Sequence, residues 1–458
     1  MSRVPPKWDQ VSKHIDEHFD EFLEDTRRVL RQPSISGSGE GIRECALLIK
    51  EYLSKLGADV RLLEYGGHPI VYGRIKGGGD CKPLIMYSMY DVQPPDPIDA
   101  WIAPPFEARI VGDQLIARGA YNTKGPLMAF ITAVRTLLNT ISELPMDIIF
   151  VIEGEEEIGS PSMPKLVEDK GKELSEAGLV LFPEMSENEK GIPAISLGNK
   201  GIVFLELRVH NADLDIHSSL AQGIVSPVAR LIHALSILVG PEGEVLVKEL
   251  YDDVISPTDE DLRYLKDIME FFDINELVKL YNIRKLRYAG EELYKVVFFH
   301  PSINIDGLIA GYMGPGTKTI LPAEARARID IRLVPNMSCD KVVDILKKHL
   351  ERHGFGDIEV IVHDMYEWSK TDPRHPAVGL AKEVYELLGF SPKIIPMMPG
   401  SAPFYVFSRR LSLPVIATGL GYGARAHAPN EFITVSGLKR CIKYMALFIM
   451  KYPEIFTH

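Results

Sequence analysis

Apolar residues fall at helical spacing near the start of the chain. Ile15, Phe19, Phe22, Leu23, Val29 and Leu30 recur across 10–31 and predict one amphipathic helix ending before Pro33. A second helix is expected over 41–56, stopping near Gly57. Short, almost wholly apolar runs follow at 58–63, 70–76, 84–90 and 147–153, with a helical pattern at 124–140 between the last two. Strands so uniformly apolar are those covered on both faces, and their alternation with helices predicts a buried mixed or parallel α/β sheet.

The pattern changes near residue 200. Residues 195–210 alternate as a strand with one wet face does, and a helix is expected at about 226–240. Residues 243–300 are charged and helix-prone but too weakly patterned to be assigned to an element. A strand at 324–334, a helix at 340–353 and a strand at 357–363 predict a smaller α+β layer. From 375 onward a helix, strands at 393–397 and 413–418 and a helix at 435–451 return to the first style. The fold class is therefore α/β, with a discontinuous catalytic domain at 1–200 and 371–458 and an insertion at 201–370. No repeat or low-complexity tract is found.

Composition adds bounds. A chain of 458 residues is too long for one ordinary domain. With 46% apolar and 25% charged residues it has the make-up of a globular protein with a large core. A net charge of −12 argues against nucleic acid or an anionic membrane as partner. The cysteines, Cys45, Cys81, Cys339 and Cys441, are scattered and form no CxxC or CxxH pair. With no leader-like apolar segment at the N-terminus and no run of 18 apolar residues, a cytoplasmic location without a membrane span is expected.

Polar residues at the ends of buried strands open onto the ligand crevice of an α/β sheet. Asp91 follows the run at 84–90, Glu156 and Glu157 follow 147–153, Glu184 follows 178–183, and His427 follows 413–418. Several carboxylates and an imidazole around one crevice suit zinc, manganese or cobalt, and a spare carboxylate suits a general base.

Four motifs carry a closer likeness: Met89-Tyr90-Asp91-Val92-Gln93-Pro94, Arg118-Gly119-Ala120-Tyr121-Asn122-Thr123-Lys124-Gly125, EGEEEIGS at 153–160 and AHAPNE at 426–431. Over nearly its whole length the chain resembles the carnosine dipeptidase, aminoacylase and carboxypeptidase G family of dinuclear-zinc exopeptidases, nonspecific-dipeptidase branch. The resemblance implies a zinc-exopeptidase-like catalytic domain with an inserted α+β lid and dimerisation domain. It puts Glu156 at the general base and Glu157, Glu184 and His427 at metal ligands. Asp91 falls on the residue that orients a metal-ligating His. His217 falls on a lid His that reaches the neighbouring subunit's site, and Thr319, Arg332 and Ser401 on residues that bind the substrate's carboxylate and carbonyl.

Two departures stand in the first two motifs. The family's first metal-binding His is Met89 here, and its bridging Asp is Asn122, followed by Thr123 in place of a second Asp. A thioether is a poor zinc ligand, and loss of the bridging charge weakens both metal positions. Met89 reads as a core-facing strand residue. Asn122 reads equally as a hydrogen-bonding turn residue and as a metal contact through its carbonyl oxygen. Arg332 has a competing reading as the partner of Asp330, two residues away on the same strand face. Lys124 and Gly125 read as the start of a helix, and His14, His18 and His233 as ordinary helix residues.

The expected function is hydrolysis of the amide bond of a small carboxylate-bearing substrate, a dipeptide or an N-acyl amino acid, by a homodimer holding one divalent metal rather than two. A non-catalytic descendant that binds an amino-acid-like or peptide ligand, and metal-independent chemistry in the same cleft, stand as the alternatives.

Overall fold

The computed structural model describes residues 4–456. An eight-stranded mixed sheet forms its centre, in the order Asp59–Leu63, Ile70–Ile75, Ile148–Glu153, Leu84–Met89, Leu179–Pro183, Val415–Thr418, Ala194–Ser196 and Lys393–Ile395. Leu84–Met89 runs parallel to both Ile148–Glu153 and Leu179–Pro183, so its C-terminal end and theirs open on one edge. All six residues of Leu84–Met89 and of Ile148–Glu153 are buried, as the unbroken apolar runs require.

Side chains alternate between the two faces of this sheet. Leu84, Met86, Ile148 and Phe150 join one core with the helices Gly125–Ile141 and Val435–Lys451, and Ile85, Tyr87, Ile149 and Val151 join another with Leu166, Val406 and Phe407. The N-terminal pattern makes two helices, Trp8–Glu17 and Phe19–Arg31, instead of one. The break falls at His18, whose backbone N–H and ring Nδ1 both turn to the carbonyl of His14.

A four-stranded antiparallel sheet in the order Ser302–Ala310, Glu324–Leu333, Gly201–His210 and Glu359–Tyr366 forms the smaller α+β layer. The helices Pro227–Leu238 and Cys339–Arg352 cover one of its faces and share its core through Leu231, Leu235, Val342 and Leu346. The strand Ser302–Ala310 was not anticipated; seven of its residues alternate too weakly to signal it, being exposed or half-buried from Asn304 to Ala310. The unassigned stretch supplies four helices between 259 and 299. Leu265, Ile268, Tyr294 and Phe298 of these pack on Ala194 and Ile395, at the edge of the large sheet. Among the described residues no helix is long and apolar enough to cross a membrane. The four cysteines are buried and unpaired.

Candidate active site

The site is built on the turn after Ile148–Glu153 and on the turn that starts the helix Gly125–Ile141. Asp91, wholly buried just beyond the end of its strand, accepts the backbone N–H groups of Glu156 at 3.2 Å and Glu157 at 3.0 Å. It meets no histidine among the described residues; what it orients is the acidic turn itself. Burial pushes Asp91 up to about 7 against the pull of those hydrogen bonds. Glu156 stands well above the usual carboxylate range, through burial first and then the charges of Glu157, Asp91 and Glu153.

The second turn needs a left-handed residue at Gly119, with φ of 85°, and a side chain there would run into Val92. It leads through a cis peptide between Asn122 and Thr123 into the helix. Lys124, which sequence suggested merely starts that helix, is fully buried and donates Nζ to the carbonyls of Gln32 at 2.6 Å and Val29 at 3.5 Å. It thereby satisfies the open carbonyl end of the helix Phe19–Arg31. Burial lowers its pKa.

Asn122, Glu157 and His427 meet at one point. Asn122 Nδ2 donates to Glu157 Oε1 at 2.8 Å and lies 3.0 Å from His427 Nε2, while His427 Nε2 lies 3.1 Å from Glu157 Oε1. Gln93 Nε2 donates to Glu157 Oε2 at 2.9 Å. His427 takes a left-handed backbone, φ 61°, to aim its ring at Glu157, and the hydrogen bond it donates to that carboxylate raises its pKa above the ordinary histidine value. Glu184 stands apart: no hydrogen bond or ion pair joins it to the other three among the described residues, and burial alone pushes it up to about 7. Met89 is 2% exposed, paired in register with Glu153.

Arg332 and Ser401 are brought together, with Arg332 Nη1 donating to Ser401 Oγ at 2.8 Å and Nε to Asp330 Oδ1 at 2.9 Å. The pairing of Arg332 with Asp330 is thus present, and the other edge of the guanidinium faces Ser401. Thr319 and His217 lie side by side, through the pairing of His217 with Ile320 and a hydrogen bond from Ser218 N to the Thr319 carbonyl. His217 is exposed, and its Nδ1 meets the hydroxyl and backbone N–H of Ser219. Among the described residues, no hydrogen bond or ion pair joins Thr319 or His217 to the Asn122–Glu157–His427 group.

Glu431, Arg118 and Gln93 stand inside the motifs, but their residue types alone assign them no role. Glu431 accepts from Arg118 Nη1 at 2.7 Å and from the backbone N–H groups of Gly119, Tyr121 and Asn122. It holds the whole turn that presents Asn122. The only signal for it was its place four residues after His427.

The donor set limits which metals fit. Among the described residues no group of three or more His, Cys, Asp and Glu side chains is arranged to hold a metal ion. The position that the resemblance implies for a first metal offers Glu184 with a thioether, and the shared position a neutral amide, donors poorer for dications than carboxylates and imidazoles. What remains for one cation is Glu157 and His427, already within contact distance of each other, with the Asn122 carboxamide beside them.

Comparison with known proteins agrees with this architecture. Residues 85–451 match the model of peptidase family M20/M25/M40. The chain is 30% identical to the Beta-Ala-His dipeptidase of Homo sapiens over 370 residues, 76% of this chain and 72% of that protein. It is 25% identical over 479 residues to the Cys-Gly metallodipeptidase dug1 of Schizosaccharomyces pombe, with 98% of each covered. Among solved structures, the M20 family metallo-carboxypeptidase Sso-CP2 from Sulfolobus solfataricus superposes with a TM-score of 0.90 at 36% identity, covering 95% of this chain and 99% of that one.

Proposed function

This chain belongs to peptidase family M20/M25/M40, and from that membership we propose that it hydrolyses the amide bond of a small substrate with a free carboxylate, a dipeptide or an N-acyl amino acid, using one divalent metal rather than two. The observation that carries the reading is the meeting of Glu157, His427 and Asn122, with the half-buried Glu156 next to Glu157 in the chain. Glu157 and His427 would hold the metal, zinc before manganese or cobalt. Asn122 turns its Nδ2 to both of them while its Oδ1 accepts from Thr123 Oγ1 at 3.0 Å, so its carbonyl oxygen would join them only after the amide turns over. Glu184 is left without a metal of its own. A cation held by Glu157 and His427 would supply Lewis-acid polarisation of the scissile carbonyl. Glu156 takes the proton from the attacking water, and Asp91 fixes the backbone that carries both glutamates.

Arg332, with Ser401 and Thr319, receives the substrate's carboxylate, for which a guanidinium edge is the natural partner. His217 donates to the carbonyl oxygen from the partner subunit of a homodimer formed through the lid domain. Support for that arrangement comes from the lack of any hydrogen bond or ion pair between it and the chain's own cluster among the described residues, and from exposed apolar residues near it in the chain, Leu214, Leu220 and Val225 being 79%, 58% and 61% exposed. On this reading residues 1–200 and 371–458 form the catalytic domain and 201–370 the lid, in a cytoplasmic enzyme.

One observation favours a second reading. The Asn122 amide donates to Glu157, whose carboxylate also pairs with His427, so the three side chains satisfy one another as they would in a protein that only binds a peptide-like ligand or that works without metal. Elemental analysis of chelator-free protein, paired with a hydrolysis screen of dipeptides and N-acyl amino acids, separates the two. About one metal per subunit and turnover that Glu156→Gln reduces by roughly 10²–10⁴ support the hydrolase. Two metals per subunit remove the one-metal reading, and ligand binding without turnover removes the hydrolase.

A further inference from the structure

Behind the Arg332–Ser401 pair lies a cavity of about 350 Å³ that no step proposed above uses. Arg332 forms part of its wall, so it continues directly from the carboxylate clamp. Lys200, His300 and Ser302 line its inner side, and Arg287 and Glu292 stand at its exposed rim. The volume falls within the range of roughly 300–1,000 Å³ of small-molecule pockets.

Its charges are unusual. Lys200 is 3% exposed, and its Nζ donates to the His300 carbonyl at 2.5 Å, yet it forms no ion pair among the described residues. Buried ammonium groups are ordinarily paired with a carboxylate. Arg287 forms no ion pair among the described residues: it donates to the Gly243 carbonyl at 2.6 Å and to the Tyr288 hydroxyl at 3.2 Å, and its charge only helps to lower the pKa of Glu244, which does not line the cavity. Arg332 already shares its charge with Asp330. The one carboxylate lining the cavity, Glu292, is exposed and makes no hydrogen bond or ion pair with Lys200 among the described residues. Burial and the neighbouring Arg332 push Lys200 down to about 7, the mark of a cation held without its counter-charge.

We propose that this cavity is a subsite for a second carboxylate: the substrate residue whose free carboxylate sits at Arg332 carries an acidic side chain, which enters the cavity and pairs with Lys200, with Arg287 closing over it from the rim. The inference rests on the carboxylate clamp proposed above and narrows it to an acidic C-terminal residue. It asks nothing of the metal or of turnover.

L-glutamate and L-glutamine, the two being alike in shape and different in side-chain charge, test it by isothermal titration calorimetry on the full chain. Glutamate is expected to bind at least tenfold more tightly, with the preference falling to about twofold or less in Lys200→Met and to an intermediate value in Arg287→Ala. Equal affinities in the unmodified protein overturn the subsite while leaving the clamp standing, and need no variant to fold. Survival of the preference in Lys200→Met likewise overturns it. If neither amino acid binds, the clamp itself fails and the subsite with it.

Discussion

The Asn122 carboxamide donates to the Glu157 carboxylate at 2.8 Å, in the place where a shared carboxylate would need a cation to sit so near another. Asn122→Asp turns that hydrogen bond into a like-charge contact. In chelator the variant is expected to unfold at lower temperature than the unmodified protein, by a repulsion of roughly 1–4 kcal/mol at an effective dielectric between those of water and a protein surface. Added zinc is expected to restore it, since a ligand bound only by the folded state raises stability with its concentration. Thermal unfolding with chelator and with zinc checks both. A variant that melts like the unmodified protein in chelator and ignores zinc would count against this account of the site.

Arg118 and Glu431 form an ion pair at 2.7 Å with each side chain 1% exposed. Glu431 also accepts three backbone N–H groups of the turn that carries Asn122. Glu431→Gln leaves the Arg118 guanidinium buried without its charge partner, at a cost of about 3–5 kcal/mol. Urea unfolding is expected to show a lower midpoint with an unchanged slope. A loss below about 1 kcal/mol would show that the turn is held by other contacts.

Much of this was legible in the chain. The fully apolar runs at 84–90 and 147–153 gave strands within a residue of Leu84–Met89 and Ile148–Glu153, because a strand buried on both faces leaves no polar position to blur its ends. The helix at 10–31 was misjudged in one respect: periodicity carries through His18, and the break is a local contest for the carbonyl of His14 that no hydrophobic pattern records. Within the site, residue types with chemical meaning were visible, including Glu157, His427 and the changed Asn122. Their mutual distances were not, nor was the work of Glu431, whose partners are backbone N–H groups of a segment more than 300 residues away. Lys200 was invisible as a site residue, because a lysine in sequence is solvated by default and only the fold buries it.

Arg332 spends one edge on Asp330 and offers Nη1 to Ser401. Arg332→Lys keeps the charge but loses the planar, two-pronged geometry. Affinity for carboxylate-bearing ligands is expected to fall by about 1.5–3 kcal/mol, the worth of a hydrogen bond to a charged group, while that for the corresponding C-terminal amides changes far less. The ratio of dissociation constants for free-acid and amide forms of one ligand measures this. Equal losses for both forms would place Arg332 outside carboxylate recognition.

Lys200 provides the last and most direct stability test, because its burial gives a sign as well as a size. The folded chain holds the Lys200 proton with a pKa of about 7, well below the ordinary lysine value of about 10.4. Between those two values the unfolded chain binds more protons, so the contribution of Lys200 to stability rises with pH there. Below about pH 7 the group is charged in both states and the full cost of burying the ammonium is felt. The charged groups facing it are Arg332, Arg287 at the rim and Glu292, with His300 offering its carbonyl and Tyr251 lining the cavity. None of them provides the close carboxylate that would offset that cost. In the absence of an anionic ligand, Lys200→Met is therefore expected to stabilise the protein at pH 6 by a few kcal/mol, each pKa unit of displacement being worth about 1.4 kcal/mol. The lost hydrogen bond to His300 takes back about 1 kcal/mol of this. The gain should shrink steadily as pH rises towards 10, where the native lysine is already neutral when folded. Unfolding free energies of the two proteins measured from pH 6 to 10 test the trend. A variant less stable than its parent at pH 6, or a difference independent of pH, would mean that Lys200 is compensated by a charge partner in solution.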